Sequence, residues 1–288
     1  MLQMAQILLP VDFSENCKGA ARYAGMLACR WHSELTMLHV VPKSEYPIVG
    51  MEAPPDFFEL RRAVVSEADK NLDAFLNEEL RGLSVKRLVV EGDPASEIVK
   101  TAHATRSDLI VMPTHGYGPF RRFLLGSVTA KVLHDADCPV LTGVHMEKGP
   151  TQAAVFRNIL CAVDLGPQST AALTWAGRIA EELGANLNVI HVLPPVEVGQ
   201  ARYFDQQFNA AVQRSARDAV EELQNRVGTH ATVIIDNGDV SKIVHGAAES
   251  LKSDLVVIGR HVDAGILGRL RTHAYAIVRE APCPVLSV

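Results

Sequence analysis

Short, nearly unbroken runs of Val, Ile and Leu alternate along the chain with longer stretches whose apolar residues recur every three or four positions. Runs of the first kind suit strands buried on both faces and stretches of the second suit amphipathic helices, so the alternation predicts a parallel sheet with crossover helices. The first helix is expected to bury Ala20, Tyr23, Ala24, Leu27, Ala28 and Trp31. A second, from about Asp56 to Leu80, carries Phe57, Leu60, Val64, Ala68, Leu72, Phe75 and Leu76 as one apolar stripe. Strand three covers Arg87 to Glu91 and leads into Gly92-Asp93-Pro94, where Asp93 caps the next helix and Pro94 suits its first turn. Strand four ends at Met112, a loop runs from Pro113 to Leu125, a helix from about Ser127 to His134, and a last strand from Pro139 to Thr142.

The whole pattern occurs twice. Ile7-Leu8-Leu9-Pro10-Val11-Asp12 returns as Ile159-Leu160-Cys161-Ala162-Val163-Asp164, and Leu38-His39-Val40-Val41-Pro42 returns as Ile190-His191-Val192-Leu193-Pro194. Ser107-Asp108-Leu109-Ile110-Val111-Met112 matches Ser253-Asp254-Leu255-Val256-Val257-Ile258, and Cys138-Pro139-Val140-Leu141 matches Cys283-Pro284-Val285-Leu286. The first helix repeats its apolar face as Ala172, Trp175, Ala176, Ile179, Ala180 and Leu183. Each half therefore reads βαβαβαβαβ, and the polar stretch Glu147 to Thr151 divides the chain into domains 1–147 and 152–288. Right-handed crossovers make each half an α/β fold with a doubly wound parallel five-stranded sheet. Such sheets bind ligands beyond the carboxyl ends of their strands, where the winding reverses. Topology alone thus directs attention to Pro10, Val11 and Asp12 after strand one, Val40 after strand two, and the loop that follows Met112.

Composition narrows the function. A chain of 288 residues, 48% hydrophobic, is long enough for two cores. Its 28 Lys and Arg against 33 Asp and Glu give a net charge of -5, which argues against affinity for nucleic-acid phosphates. No apolar run approaches membrane-spanning length, and MLQMAQILLPVDFSE meets Asp12 and Glu15 too soon for a signal peptide. Five cysteines without CxxC spacing favour neither a disulfide framework nor a zinc site, so a reducing, cytoplasmic setting is expected.

The loop after strand four carries the candidate chemistry. Pro113-Thr114-His115-Gly116 is followed by nine residues and then by Gly126-Ser127-Val128-Thr129 opening a helix. A Gly-Ser pair at a helix N-terminus offers free amide hydrogens, a hydroxyl and the positive end of the dipole, which suits a phosphate. Gly116 lets the loop backbone approach that anion. The bland alternative is a loop-ending glycine and a helix-capping serine.

On these residues both halves resemble the universal stress protein domain, whose ATP-binding members carry Gly-x2-Gly-x9-Gly-Ser/Thr after strand four. The first half matches at Gly116, the nine-residue gap, Gly126 and Ser127, with Pro113 in place of the first glycine. The resemblance implies a sheet of order 3-2-1-4-5, as in adenine nucleotide alpha hydrolase-like folds. It also implies ATP with Mg or Mn as ligand, Asp12 near the ribose, phosphate or metal, and backbone pairing of adenine at Val40. It further implies that the final strands of the two halves meet edge to edge as an internal pseudo-dimer, with a homodimer of whole chains as a further arrangement. The second half departs more: Gly259 keeps the first glycine, Val262 replaces the second, and Arg271-Thr272 stands for Gly-Ser. A weaker site is expected there, built from Asp164, Val192, Gly259, His261, Arg271 and Thr272.

Other conspicuous residues have plainer readings. His115 and His261 sit at matching loop positions without an HExxH pair or acidic cluster, which favours packing and hydrogen bonding. His39 and His191 read as satisfied core histidines, Arg121-Arg122 as solvated surface, and Cys138 and Cys283 as small buried hydrophobes. The segments 42–55 and 194–200 lie on the ligand side of the sheet, as covers or as surface connections. GxGxxG at the first turn, the Walker motif, GxSxG and HExxH are all lacking. A stress-response protein that senses ATP by binding is therefore the expectation. A nucleotide-free structural module and a slow ATPase are the alternatives.

Overall fold

The computed structural model describes residues 4–43, 55–115, 125–144, 146, 156–194, 206–260 and 269–288. The first repeat runs β1 (Gln6–Val11), α1 (Asn16–Trp31), β2 (Glu34–Pro42), α2 (Pro55–Ala74), β3 (Val85–Gly92), α3 (Pro94–Ala104), β4 (Leu109–Val111), α4 (Ser127–Asp135) and β5 (Val140–Thr142). The second runs β6 (Asn158–Ala162), α5 (Ser169–Leu183), β7 (Asn186–Leu193), α6 (Gln206–Val227), β8 (Thr232–Asn237), α7 (Val240–Ser250), β9 (Leu255–Ile258), α8 (Arg269–Glu280) and β10 (Val285–Ser287). The expected βαβαβαβαβ order holds in both.

Ten strands form one sheet of order β3-β2-β1-β4-β5-β10-β9-β6-β7-β8, so each repeat has the order 3-2-1-4-5. Neighbouring strands are parallel except at the centre, where β5 and β10 run antiparallel with Leu141 opposite Leu286. The final strands thus meet edge to edge and cover two edges that would otherwise present unpaired backbone.

Alternation along the strands sorts the core into two layers. Ile7, Leu9 and Val11 face a layer built with α1 and α5, while Leu8 faces one built with α3, α4, α7 and α8. The α1 face is Ala20, Tyr23, Ala24, Leu27 and Ala28, all buried, and its counterpart in α5 is Ala172, Ala176, Ile179 and Ala180. Asp108 accepts from the amides of Ala5 and Gln6, and Asp254 from those of Arg157 and Asn158, fastening the start of the first strand in each repeat. Among the described residues no helix is long and apolar enough to cross a membrane.

Helix α2 departs from the expected stripe. It ends at Ala74 rather than near Leu80, because Leu76 turns the chain with a left-handed φ of 57°. Leu60 and Val64, expected inside, are 65% and 47% exposed. Ala68, Leu72 and Leu76 are buried as expected. The inward line passes instead through Arg61, whose Nε donates to Glu91 Oε2 at 2.8 Å, so an ion pair with β3 occupies the position an apolar side chain would have taken.

Candidate functional site

Parallel registry brings the ends of β1, β2 and β4 to one rim. Val11 stands beside His39, and Ile7 and Leu8 beside Leu109 and Ile110. Just past β1 the chain turns sharply at Phe13, which holds φ at 64°. Leu165, at the same point of the second repeat, holds 62°. Bulky residues avoid this region, so the same strained turn in both repeats marks a constrained place at the ligand edge. The Phe13 ring packs on His39 with centroids 4.2 Å apart.

That turn aims the carboxylates. Asp12 Oδ1 accepts from the Ser14 amide at 3.0 Å and from the Cys17 thiol at 3.1 Å. Asp164 Oδ1 accepts from the Gly166 amide and from the Ser169 hydroxyl, both at 2.8 Å. Both partners bind one oxygen, which leaves Oδ2 of each aspartate for a ligand or for a metal ion held jointly with one. Burial, and then the Asp12 charge, push the Cys17 thiol up to about 12, so it stays protonated and serves as a donor.

The helix that follows β4 supplies the opposite wall. Gly126 donates its amide to the Thr114 carbonyl at 2.8 Å, and the first bond of the α4 ladder runs from Ala130 N–H to the Gly126 carbonyl. The amides of Ser127, Val128 and Thr129 precede that ladder and point out of the helix end, toward the rim. Ser127 is the first residue of α4, with Gly126 at the cap and no side-chain capping bond. The Thr129 hydroxyl donates to the Pro113 carbonyl at 3.0 Å, so it braces the loop. His115 is buried, pairs through Nδ1 with the Thr114 hydroxyl, and accepts at its carbonyl from Asn16 Nδ2 at 3.0 Å. Packing and hydrogen bonding are the favoured reading of this histidine, which is also an expected member of the site.

These groups enclose a cavity of about 340 Å³, a size within the range of small-molecule sites. Pro10, Val11, Asp12, Val40, Met112, Pro113, His115, Gly126, Ser127, Val128 and Thr129 all line it. Gly116, the remaining expected member, lies outside the described residues, as do segments 44–54 and 195–200. Cys17 and His39 also line the cavity and were not singled out as site residues. The signal for Cys17 was its counterpart Ser169, a donor at the same distance from the aspartate in the other repeat. His39 combines both roles, since Nδ1 is 2.9 Å from the Val11 carbonyl while the ring forms wall.

The second repeat holds a matching cavity of about 520 Å³ in which Asp164, Val192 and Gly259 take part. His261 and Val262 lie outside the described residues, and for Arg271 and Thr272 the structure describes the backbone of α8 alone. This cavity is the roomier of the two. It also gains a carboxylate at its rim, Asp239, which caps α7 by accepting from the Lys242 amide at 3.1 Å. That amide and the Ser241 hydroxyl hold its pKa below the usual carboxylate range. The corresponding Asp93 of the first repeat is paired with Lys131 Nζ at 2.9 Å. No group of three or more metal-ligating side chains occurs among the described residues.

A doubled α/β unit with a cavity at its strand ends and a glycine-opened helix beside it defines the class. The model of the universal stress protein family matches residues 4–142 and again 156–288, and the chain belongs to that family. A universal stress protein of Methanocaldococcus jannaschii is 36% identical over 139 residues, 47% of this chain and 79% of that protein. One from Mycobacterium tuberculosis is 26% identical over 293 residues, 97% of this chain and 95% of that protein. The crystal structure of a universal stress protein from Archaeoglobus fulgidus superimposes with a TM-score of 0.70 at 25% identity, covering 99% of this chain and 96% of that one.

Proposed function

We propose that the first repeat, residues 1–147, binds ATP, and that the chain acts as a cytoplasmic, nucleotide-dependent sensor in the stress response. The observation that carries this reading is that the first three residues of α4, Ser127, Val128 and Thr129, and Asp12 line one cavity. Amides at a helix start suit phosphate oxygens, and a carboxylate oxygen across the cavity suits a ribose hydroxyl. Val40 lies near the carboxyl end of β2, one residue past the last β1 partner His39, and lines the cavity, where its backbone can pair with a base. A Mg or Mn ion would enter with the triphosphate, since Asp12 is a hard oxygen ligand that needs phosphate oxygens and water to complete a shell. The second cavity, in residues 152–288, is the weaker nucleotide site, because carboxylates from Asp164 and Asp239 both stand at it. Occupancy would alter contact with a protein partner.

A second reading, a structural module without nucleotide, is favoured by Pro113. It brings no amide to the cradle, and its carbonyl is taken by Thr129. Mass spectrometry of small molecules released from freshly purified protein separates the two. ATP near one equivalent per chain is the expected result. An empty protein that gives no heat when titrated with ATP and magnesium overturns the sensor reading in favour of the module.

A further inference from the structure

Two side chains of the second repeat grip helix α4 of the first. Arg260, just past β9, donates from Nη1 to the Leu133 carbonyl at 3.1 Å and from Nη2 to the Cys138 carbonyl at 2.6 Å. Its guanidinium therefore sits on the carbonyl-rich C-terminal end of α4, where a cation complements the helix dipole. Nearer the start of the helix, the Ala130 carbonyl accepts from the Tyr275 hydroxyl at 3.1 Å. The other end of the same helix lines the first cavity through Ser127, Val128 and Thr129. With nine residues, α4 is only about 13 Å long, so whatever fixes its C-terminal half also fixes where its first amides point.

Among the described residues the grip is one-sided. In the alignment of the repeats Arg260 corresponds to Thr114 and Tyr275 to Ala130, and neither has the reach to hold α8 in return. The Thr114 hydroxyl is within its own loop, paired with His115. Arg260 is itself anchored, its amide donating to the Val288 carbonyl at 2.7 Å beside β10. Its footing adjoins the second cavity, since Gly259 lines that cavity, as does Ala274 next to Tyr275.

We propose that Arg260 and Tyr275 are positioning residues through which the second repeat sets the phosphate affinity of the first repeat's cradle. The inference rests on the reading of that cradle as a nucleotide site. It makes the affinity a property of the tandem chain, with the second repeat acting on a site to which it contributes no lining residue among those described.

The test uses the full chain as wild type, Arg260→Met, Tyr275→Phe, the double variant and Arg260→Lys. Hydrogen exchange at residues 127–135 is followed with and without ATP and magnesium. In the unliganded double variant, exchange at 127–135 should quicken while β1 and β2 stay protected, and ATP affinity should fall on the order of tenfold. Arg260→Lys, which keeps the charge and a donor, should recover part of both. Unchanged exchange at 127–135, or unchanged ATP affinity despite faster exchange, overturns the proposal. If the wild type binds no ATP, the nucleotide reading alone fails and inorganic phosphate becomes the probe. Equal phosphate affinity in wild type and double variant, or no phosphate binding at all, then overturns the positioning role.

Discussion

The Gly126 amide donates to the Thr114 carbonyl at 2.8 Å, and a Cβ on Gly126 would stand 3.1 Å from that same oxygen. The next nearest atom to such a Cβ is His115 Cα, at 3.4 Å, so both neighbours are backbone of the β4 loop. The glycine is thus favoured by close approach rather than by backbone conformation, since its φ of -63° is open to any residue. This contact draws the end of β4 against the start of α4 and forms the cavity between them. Gly126→Val should cost about 1–3 kcal/mol through overpacking. It should also weaken ATP binding more than tenfold, because the loop and the α4 amides move apart. Thermal unfolding and calorimetric titration of the variant read the two effects separately.

Cys17 and Ser169 occupy one position in the two repeats, and each donates to the Oδ1 of its aspartate. The position requires a small donor rather than sulfur. Cys17→Ser should therefore keep stability within about 1 kcal/mol of the parent and retain binding. Cys17→Val preserves the volume but removes the donor from a partly buried carboxylate, and should cost about 1–3 kcal/mol. Equal stability of the two variants in urea would show that the Asp12 contact contributes nothing.

Much of this site was legible because topology and pattern agree. The ends of β1, β2 and β4 are fixed by unbroken apolar runs, and eleven expected residues of the first site line one cavity. Helix α2 was misread at its start because Phe57-Phe58 and Val64-Val65 put apolar residues on two adjoining stripes, and periodicity alone does not choose between them. The choice was made by Arg61 pairing with Glu91, a contact between residues 30 positions apart. The grip of Arg260 on α4 was hidden for a similar reason. The distance of more than 120 residues between Arg260 and Cys138 or Leu133 leaves no local trace, and the acceptors are backbone carbonyls. His39 shows a further limit, since a histidine that satisfies the core and one that lines a ligand cavity have the same sequence pattern.

Buried thiols give the fold an alkaline limit. Burial pushes Cys17, Cys161 and Cys283 up to about 12 from an ordinary value of 9.0. The folded protein then binds protons more tightly than the unfolded chain, so stability falls as pH rises. The contribution is complete below pH 9, declines above it, and is lost as pH passes the folded values near 12. Cys161, fully buried in the core, isolates the effect. In Cys161→Ala, unfolding free energy measured in urea from pH 8 to pH 11 should decline less steeply than in the parent. Parallel declines would refute this assignment.

The antiparallel meeting of Leu141 and Leu286 carries the last prediction. Both side chains are buried, at 1% and 4% exposure, in the layer shared with α1 and α5. Separating the repeats would leave β5 as an edge with unpaired amides and carbonyls and an uncovered leucine. Because β5 already accepts an antiparallel partner of closely similar sequence, the simplest relief is another β5. Residues 1–147 expressed alone should therefore form a two-fold dimer in which Leu141 meets its own counterpart. Leu141→Lys should shift that fragment to monomer in sedimentation equilibrium, while in the full chain the same change should lower stability without changing oligomeric state. A fragment that stays monomeric at high concentration with β5 protected from hydrogen exchange would mean that the edge is closed by the repeat itself, and that the seam contributes little to holding the tandem together.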